Sequence, residues 1–205
     1  MHIPDAFIPI GQAAVYWVAA LVFIALSLRW AKREMSEDKV PLVAVLAAGI
    51  FAIQAMNIPI PWGTSGHMAG AALAAIVLGS PFAGIFILTL VLIVQGVFFG
   101  DGGITVMGAN ILNMGVVGGF VGYYTYHGLN RLIRNPYASA FAAGWAALFL
   151  AAILTAIELA LAGTFPLVLG LASMGLYHAV IGLVEGGITV AALYLISAAR
   201  PDILK

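Results

Sequence analysis

FAGIFILTLVLIVQGVFF fills positions 82–99 of the chain and contains no charged residue. Apolar side chains run through it without a polar face, which a helix at a water interface would need. The run is long and does not alternate, so it does not read as a strand of an outer-membrane barrel. A membrane-crossing helix needs about 20 such residues. The stretch therefore predicts a transmembrane α-helix, and it sets the reading of everything around it.

The rest of the chain repeats that pattern. Of 205 residues, 63% are hydrophobic and 8% charged, against about 25% charged in a soluble domain. Lipid is the expected solvent. Apolar runs and breakers predict an all-α bundle of about seven spans, near 8–30, 41–58, 67–79, 82–99, 105–127, 138–162 and 171–198. The 24 glycines and frequent alanines suit closely approaching membrane helices. No repeat marks a second domain, so residues 1–205 read as one transmembrane domain with a polar arm at 1–10. The third span is short and follows a Pro/Gly-rich stretch, NIPIPWGTSGH (57–67). Backbone of that kind at membrane depth must be buried in protein or line a cavity.

Basic residues orient the bundle. Arg29, Lys32, Arg33 and Lys39 lie between spans one and two, Arg131 and Arg134 between five and six, and Arg200 and Lys205 after seven. All fall on one side, which the positive-inside rule makes cytoplasmic. The N-terminus is then expected outside and the C-terminus in the cytoplasm. Zero net charge gives no basic surface for nucleic acid, and the lack of cysteine excludes disulfides and thiolate metal sites. No phosphate-binding loop is present, so any ATP-driven transport would draw its energy from another subunit. Gln54, Asn57, His67, Gln95, Asn110, Asn113, Glu158 and His178 are all expected toward the outer half. Singly, each reads as a helix cross-link; together they predict a site open to the outside.

The arm MHIPDAFIPI (1–10) is the most chemical stretch. The Met1 amine, the His2 backbone nitrogen and His2 Nδ1 can close five- and six-membered chelate rings on one metal ion once the amide proton leaves. Three nitrogens in a plane leave one corner open, and square-planar nitrogen sites point to Ni(II) or Cu(II). Pro4 and Pro9 stiffen the arm without blocking position 2. His67, after the polar bend of span three, is the expected partner. His127, at the cytoplasmic end of span five, reads as a solvated imidazole. His178 and Glu185 share a helix face, as a proton relay, as support for a ligand, or as a structural pair bonded to other helices.

MHIPDAF (1–7), GTSGHMAGAALAAIVLGSP (63–81) and DGGITVMGANILNMG (101–115) resemble the substrate-capture subunits of nickel/cobalt energy-coupling-factor transporters, the NikM/CbiM family. The resemblance covers most of the chain. It implies seven helices, one of them preceding a six-helix core shared with vitamin-capturing relatives, in a prokaryotic plasma membrane. It implies a metal held by the Met1 amine, the backbone and imidazole nitrogens of His2, and His67. The GTSGH form is similar to the nickel branch, so Ni(II) is the expected cargo and Co(II) the alternative, with no organic cofactor. Implied partners are a transmembrane scaffold (T) subunit, two cytoplasmic ATPases and a small accessory membrane subunit. The capture subunit would topple in the membrane to deliver its cargo.

Asn57, Thr64 and Ser65 are candidates to orient His67 or the arm, and Asp5 to offset the metal charge. Met68 and Met114 read as packing, because a thioether suits such a site poorly. Ala6 stands where the family usually has Gly, which would strain the arm if φ there were positive. Ala44, Ala48 and Ala52 form a small-residue stripe suited to docking or to packing inside the bundle.

Rival readings are weaker. GTSG also resembles the serine loop of rhomboid intramembrane proteases, with Ser65 as nucleophile and His178 as base, but that leaves Met1–His2 unexplained. A vitamin-binding subunit, with Trp62 near the site, gives the arm no role. A metal channel would need an acidic ladder, and Glu158 and Glu185 do not make one.

Overall fold

The computed structural model describes residues 1–204. Its helices are α1 (Ile10–Glu34), α2 (Val40–Gln54), α3 (Ala71–Val77), α4 (Pro81–Val94), α5 (Met107–Asn110), α6 (Gly118–Ile133), α7 (Pro136–Leu161) and α8 (Leu167–Ala199). Gln95–Phe99 extends α4 as a π-helical turn, and Ile111–Val117 joins α5 to α6 in the same way. Two-residue strands, β1 (Ile58–Pro59) and β2 (Ser65–Gly66), pair antiparallel with Ile58 opposite Gly66.

Local chemistry sets these limits. Ser80 caps α4 by accepting from the Phe82 amide at 3.2 Å, and Pro81 occupies the first turn, where its missing N–H costs nothing. Asn135 caps α7 in the same manner, ahead of Pro136. Lys32 and Arg33 close α1, where cations oppose the negative end of the helix dipole.

Among the described residues, four helices are long and apolar enough to cross a membrane: Ile10–Glu34, Pro81–Phe99, Pro136–Leu161 and Leu167–Ala199. The expected stretch 67–79 condenses to α3, whose seven residues rise only about 10 Å. All seven are buried. The helix expected at 105–127 starts at Met107 and runs on through the π-helical turn to Ile133.

The core gathers α2, α3, α4, α7 and α8 around Ile50, Leu88, Ile111, Met114, Leu148 and Met174. The two helices of the α7–α8 hairpin meet through small residues. A methyl at Gly182 would press on Trp145, and one at Gly186 on the Phe141 carbonyl. By contrast α1 turns Val15, Val18, Leu21 and Val22 outward, toward lipid in a chain of this composition. Ala44, Ala48 and Ala52 are exposed on α2, opposite the buried Val43, Leu46 and Ile50. The alanine stripe therefore faces away from the bundle.

Candidate metal centre

Residues 1–9 fold back over the ends of α4 and α5 instead of trailing into solvent. Ile3 is the anchor. Its N–H donates to Asn110 Oδ1 at 2.8 Å, and its carbonyl accepts from Asn110 Nδ2 at 3.1 Å and from the Gly103 amide at 2.8 Å. Met1, Ile3 and Ile8 are buried, and each such side chain contributes roughly 1.5–3 kcal/mol of apolar burial. Asp5 accepts from the Thr105 amide at 2.8 Å, the Thr105 hydroxyl at 2.5 Å and the Ile104 amide at 3.2 Å. The Thr105 hydroxyl chiefly holds the Asp5 carboxyl below its ordinary range. The Thr164 hydroxyl donates to the Phe7 carbonyl. A Cβ on Gly103 would collide with the Asp5 backbone nitrogen, so the docked arm requires glycine there. Ala6 sits at φ +69°, the left-handed region that favours glycine.

The docked arm brings nitrogen donors together. The Met1 amine donates to the Ser65 carbonyl and to Ser65 Oγ, the latter at 3.2 Å. Burial pushes that amine well below its ordinary range, with Asp101 pulling the other way. His2 Nε2 lies 3.1 Å from Gln95 Oε1. An amide oxygen only accepts, so Nε2 carries the proton and Nδ1 keeps its lone pair. Asp101 Oδ1 stands 3.3 Å from that Nδ1, but a neutral ring protonated at Nε2 has nothing to donate there. Asn57 Nδ2 holds the other oxygen of Asp101 at 3.0 Å. Burial first, then the neighbouring amine, lower the His2 pKa to about 4. The ring is neutral near pH 7, as a ligand must be.

His67 mirrors His2. Its Nδ1 donates to the Met68 carbonyl at 2.7 Å, which leaves Nε2 as the acceptor end. Nε2 is buried and has no hydrogen-bond partner among the described residues, and the same holds for His2 Nδ1. The two rings stack with centroids 4.3 Å apart and 22° between planes. The segment that carries His67 is clamped from behind. Both oxygens of Glu185 on α8 accept from backbone, the Ala69 amide at 3.1 Å and the Gly70 amide at 2.7 Å. Gln54 donates to the Ala69 carbonyl at 2.7 Å. Gly70, at φ +78°, turns the chain into α3.

The structure thus brings Met1, His2, His67 and Ser65 together. Asn57 reaches the arm through Asp101 and does not bond His67. Asp5 is spent on the 104–105 amides. Thr64 Oγ1 is buried without a partner among the described residues. His178 and Glu185 do not pair: His178 Nδ1 donates to the Met174 carbonyl at 2.8 Å, and Glu185 holds the His67 segment. Glu158 accepts from Asn113 at 2.6 Å, a helix cross-link. Ser65 and His178 share no hydrogen bond among the described residues, so the nucleophile–base pair of the protease reading is not formed.

Gln95 was expected only as one of several outer-half polar groups and Glu185 only as candidate support for a ligand; Asp101, Gly103 and Thr105 were not singled out as parts of this site. The π-helical turns were one available signal, since such turns concentrate at functional sites; Gln95 opens the first, and Asn110 directly precedes the second. No group of three His, Cys, Asp or Glu side chains clusters among the described residues. The donors here are two imidazoles and main-chain nitrogen.

Residues 2–203 match the CbiM family, described as a cobalt uptake substrate-specific transmembrane region. A protein of Archaeoglobus fulgidus, provisionally named a fused nickel transport protein NikMN, is 42% identical over all of this chain and 68% of its own length. The cobalt transport protein CbiM of Sorangium cellulosum is 33% identical, over all of this chain and 94% of its own. The crystal structure of a truncated transition metal transporter superposes with a TM-score of 0.92 at 34% identity, covering 97% of this chain and 99% of that one. These relatives carry the names of transport proteins, not of enzymes. The chain belongs to the CbiM family of cobalt and nickel transport proteins, as a helical, multi-pass membrane protein.

Proposed function

We propose that this chain captures Ni(II), with Co(II) as the alternative, from outside the cell through the Met1 amine, the backbone nitrogen and Nδ1 of His2, and Nε2 of His67. The observation that carries this reading is the pair of lone-pair nitrogens, His2 Nδ1 and His67 Nε2, buried without partners beside the Met1 amine. Gln95 and the Met68 carbonyl fix both tautomers, as groups behind ligating imidazoles do. Three nitrogens from two consecutive residues lie in one plane by covalent geometry, which favours planar Ni(II). Asn57, Thr64, Ser65 and Asp5 act behind the ligands: Ser65 seats the amine, Asn57 acts through Asp101, and Asp5 pins the arm.

In this reading residues 1–205 form one metal-capture domain of seven spans with the N-terminus outside. Loaded, it docks on a membrane scaffold subunit driven by two cytoplasmic ATPases, with a small accessory membrane subunit. The outward alanines of α2 offer a face for that scaffold. Ala48→Leu is expected to block co-purification with the scaffold while sparing metal binding; loss of metal binding with assembly intact contradicts the assignment.

The decisive test compares the chain with its native start against one carrying two residues before Met1. Each is titrated with Ni(II) and Co(II), with visible absorption recorded. Tight Ni(II) binding with the yellow band of a planar complex, lost in the extended form, is the expected result. Equal binding by both removes the amine from the site.

A further inference from the structure

We propose that His178 is an additional nitrogen ligand of the transported ion, one that Co(II) engages and planar Ni(II) does not need. This rests on the site reading above and extends it to metal selectivity.

Helix α8 lies along the whole ligand segment. Met174 faces Gly63, where an added methyl would meet its sulfur at 2.6 Å, and Ile181 faces Gly66, with Cδ1 at 2.8 Å from such a methyl. Glu185 then binds the amides of Ala69 and Gly70. Positions 174, 178, 181 and 185 share one helix face. His178 therefore falls between the contacts to Gly63 and Gly66, opposite Thr64 and Ser65, and Ser65 is the residue that holds the Met1 amine.

The ring is prepared as a ligand would be. It is fully buried. Nδ1 donates to the Met174 carbonyl at 2.8 Å, so Nε2 is the acceptor end, and Nε2 has no hydrogen-bond partner among the described residues. His67 shows the same pattern, with Nδ1 on the Met68 carbonyl and Nε2 unpartnered. His178 is within electrostatic range of both His67 and the Met1 amine. A buried acceptor with no donor is destabilising, and a cation beside Met1 and His67 would satisfy it.

The consequence is a difference between two ions. Low-spin Ni(II) is complete with four nitrogens in a plane. Co(II) has one electron fewer and favours a fifth donor. With His178 drawn in as a fifth donor, the site would offer each ion its preferred coordination number from one set of residues.

The test uses the full chain with its native start. Ni(II) and Co(II) affinities and absorption spectra are recorded for wild type and for His178→Ala. Selectivity for Ni(II) over Co(II) is expected to rise roughly tenfold or more, with the Co(II) bands moving to those of a lower coordination number. In His178→Gly, free imidazole is expected to restore the wild-type Co(II) spectrum. An unchanged ratio of affinities, or equal loss of both metals with no response to imidazole, would overturn the proposal and leave His178 a packing residue. Failure of the underlying site reading shows separately, as Ni(II) affinity indifferent to residues added before Met1.

Discussion

The two ends of the bundle treat histidine in opposite ways. At the arm end His2, His67 and His178 are buried, each with one ring nitrogen tied to a protein oxygen and the other left without a partner among the described residues. At the far end His127 is half-buried, lies tilted against Tyr123 with ring centroids 4.1 Å apart, and bonds a carbonyl of its own helix. That end holds a cavity of about 540 Å³ lined by Trp30, Lys39, Tyr126, His127 and Arg200 among others. Its polar groups are satisfied locally: Lys39 bonds the Glu34 carbonyl, and Arg200 pairs with Asp202. The arm end binds residues from across the chain and is filled by the docked arm itself. Open volume is the usual signpost of a binding site. In the reading proposed above it points to the other end, because the proposed chelating group is part of the protein and occupies the space itself.

The sharpest way to break this contrast is to remove one imidazole from each end. His67→Ala is expected to lower Ni(II) affinity more than the roughly 10–100-fold typical of losing a supporting group. His127→Ala should change it less than about twofold, because it lies at the far end from the site. Calorimetric titration reads both, and similar losses would erase the distinction. Next in size is the arm's seat. Gly103→Ala drives a methyl into Asp5, and we expect Ni(II) binding to weaken about 10–100-fold, with the Met1 amine newly open to amine-reactive reagents. Gly128→Ala, with open space around it, leaves both readouts unchanged.

Glu185→Gln turns one acceptor into a donor facing a backbone N–H. It should weaken Ni(II) binding by about tenfold, whereas Arg200→Gln at the far end should not. The smallest effect runs the other way. Ala6→Gly relieves a left-handed alanine, a gain of about 0.5–1 kcal/mol after glycine's entropy is counted, and tightens Ni(II) binding about two- to fivefold. An unchanged or weaker affinity would mean that arm strain does not limit binding.

What could be read from sequence was what covalent neighbours dictate. The candidate chelate of Met1 and His2 follows from their adjacency alone, and His67 follows a recognisable bend. The membrane-helix class was equally plain, because eighteen uncharged residues at 82–99 leave little choice of solvent. The strain at Ala6 was foreseeable only through the resemblance, because the family usually has Gly there, and the backbone angle is positive. Asn110 and Gln95 were visible as outer-half polar groups, but their partners were not legible. Asn110 matches the polar edges of Ile3 and Gln95 fixes the ring of His2 only because the fold brings together segments about a hundred residues apart. The partners of Glu185 were hidden for another reason. They are main-chain amides, and an amide leaves no mark in a one-letter code.

The length of α8 has a mechanical consequence. Its 33 residues make a rod of about 50 Å. From its first half to its middle it grips the His67 segment through Met174, Ile181 and Glu185. Near its C-terminal end it lends Leu193 to the wall of the far cavity, whose lining continues to Arg200. The close seams at Gly182 and Gly186 against α7 fall beside Ile181 and Glu185, so the middle of the rod is clamped between α7 and the loop bearing an imidazole. One continuous helix thus joins that clamp to the wall of the far cavity.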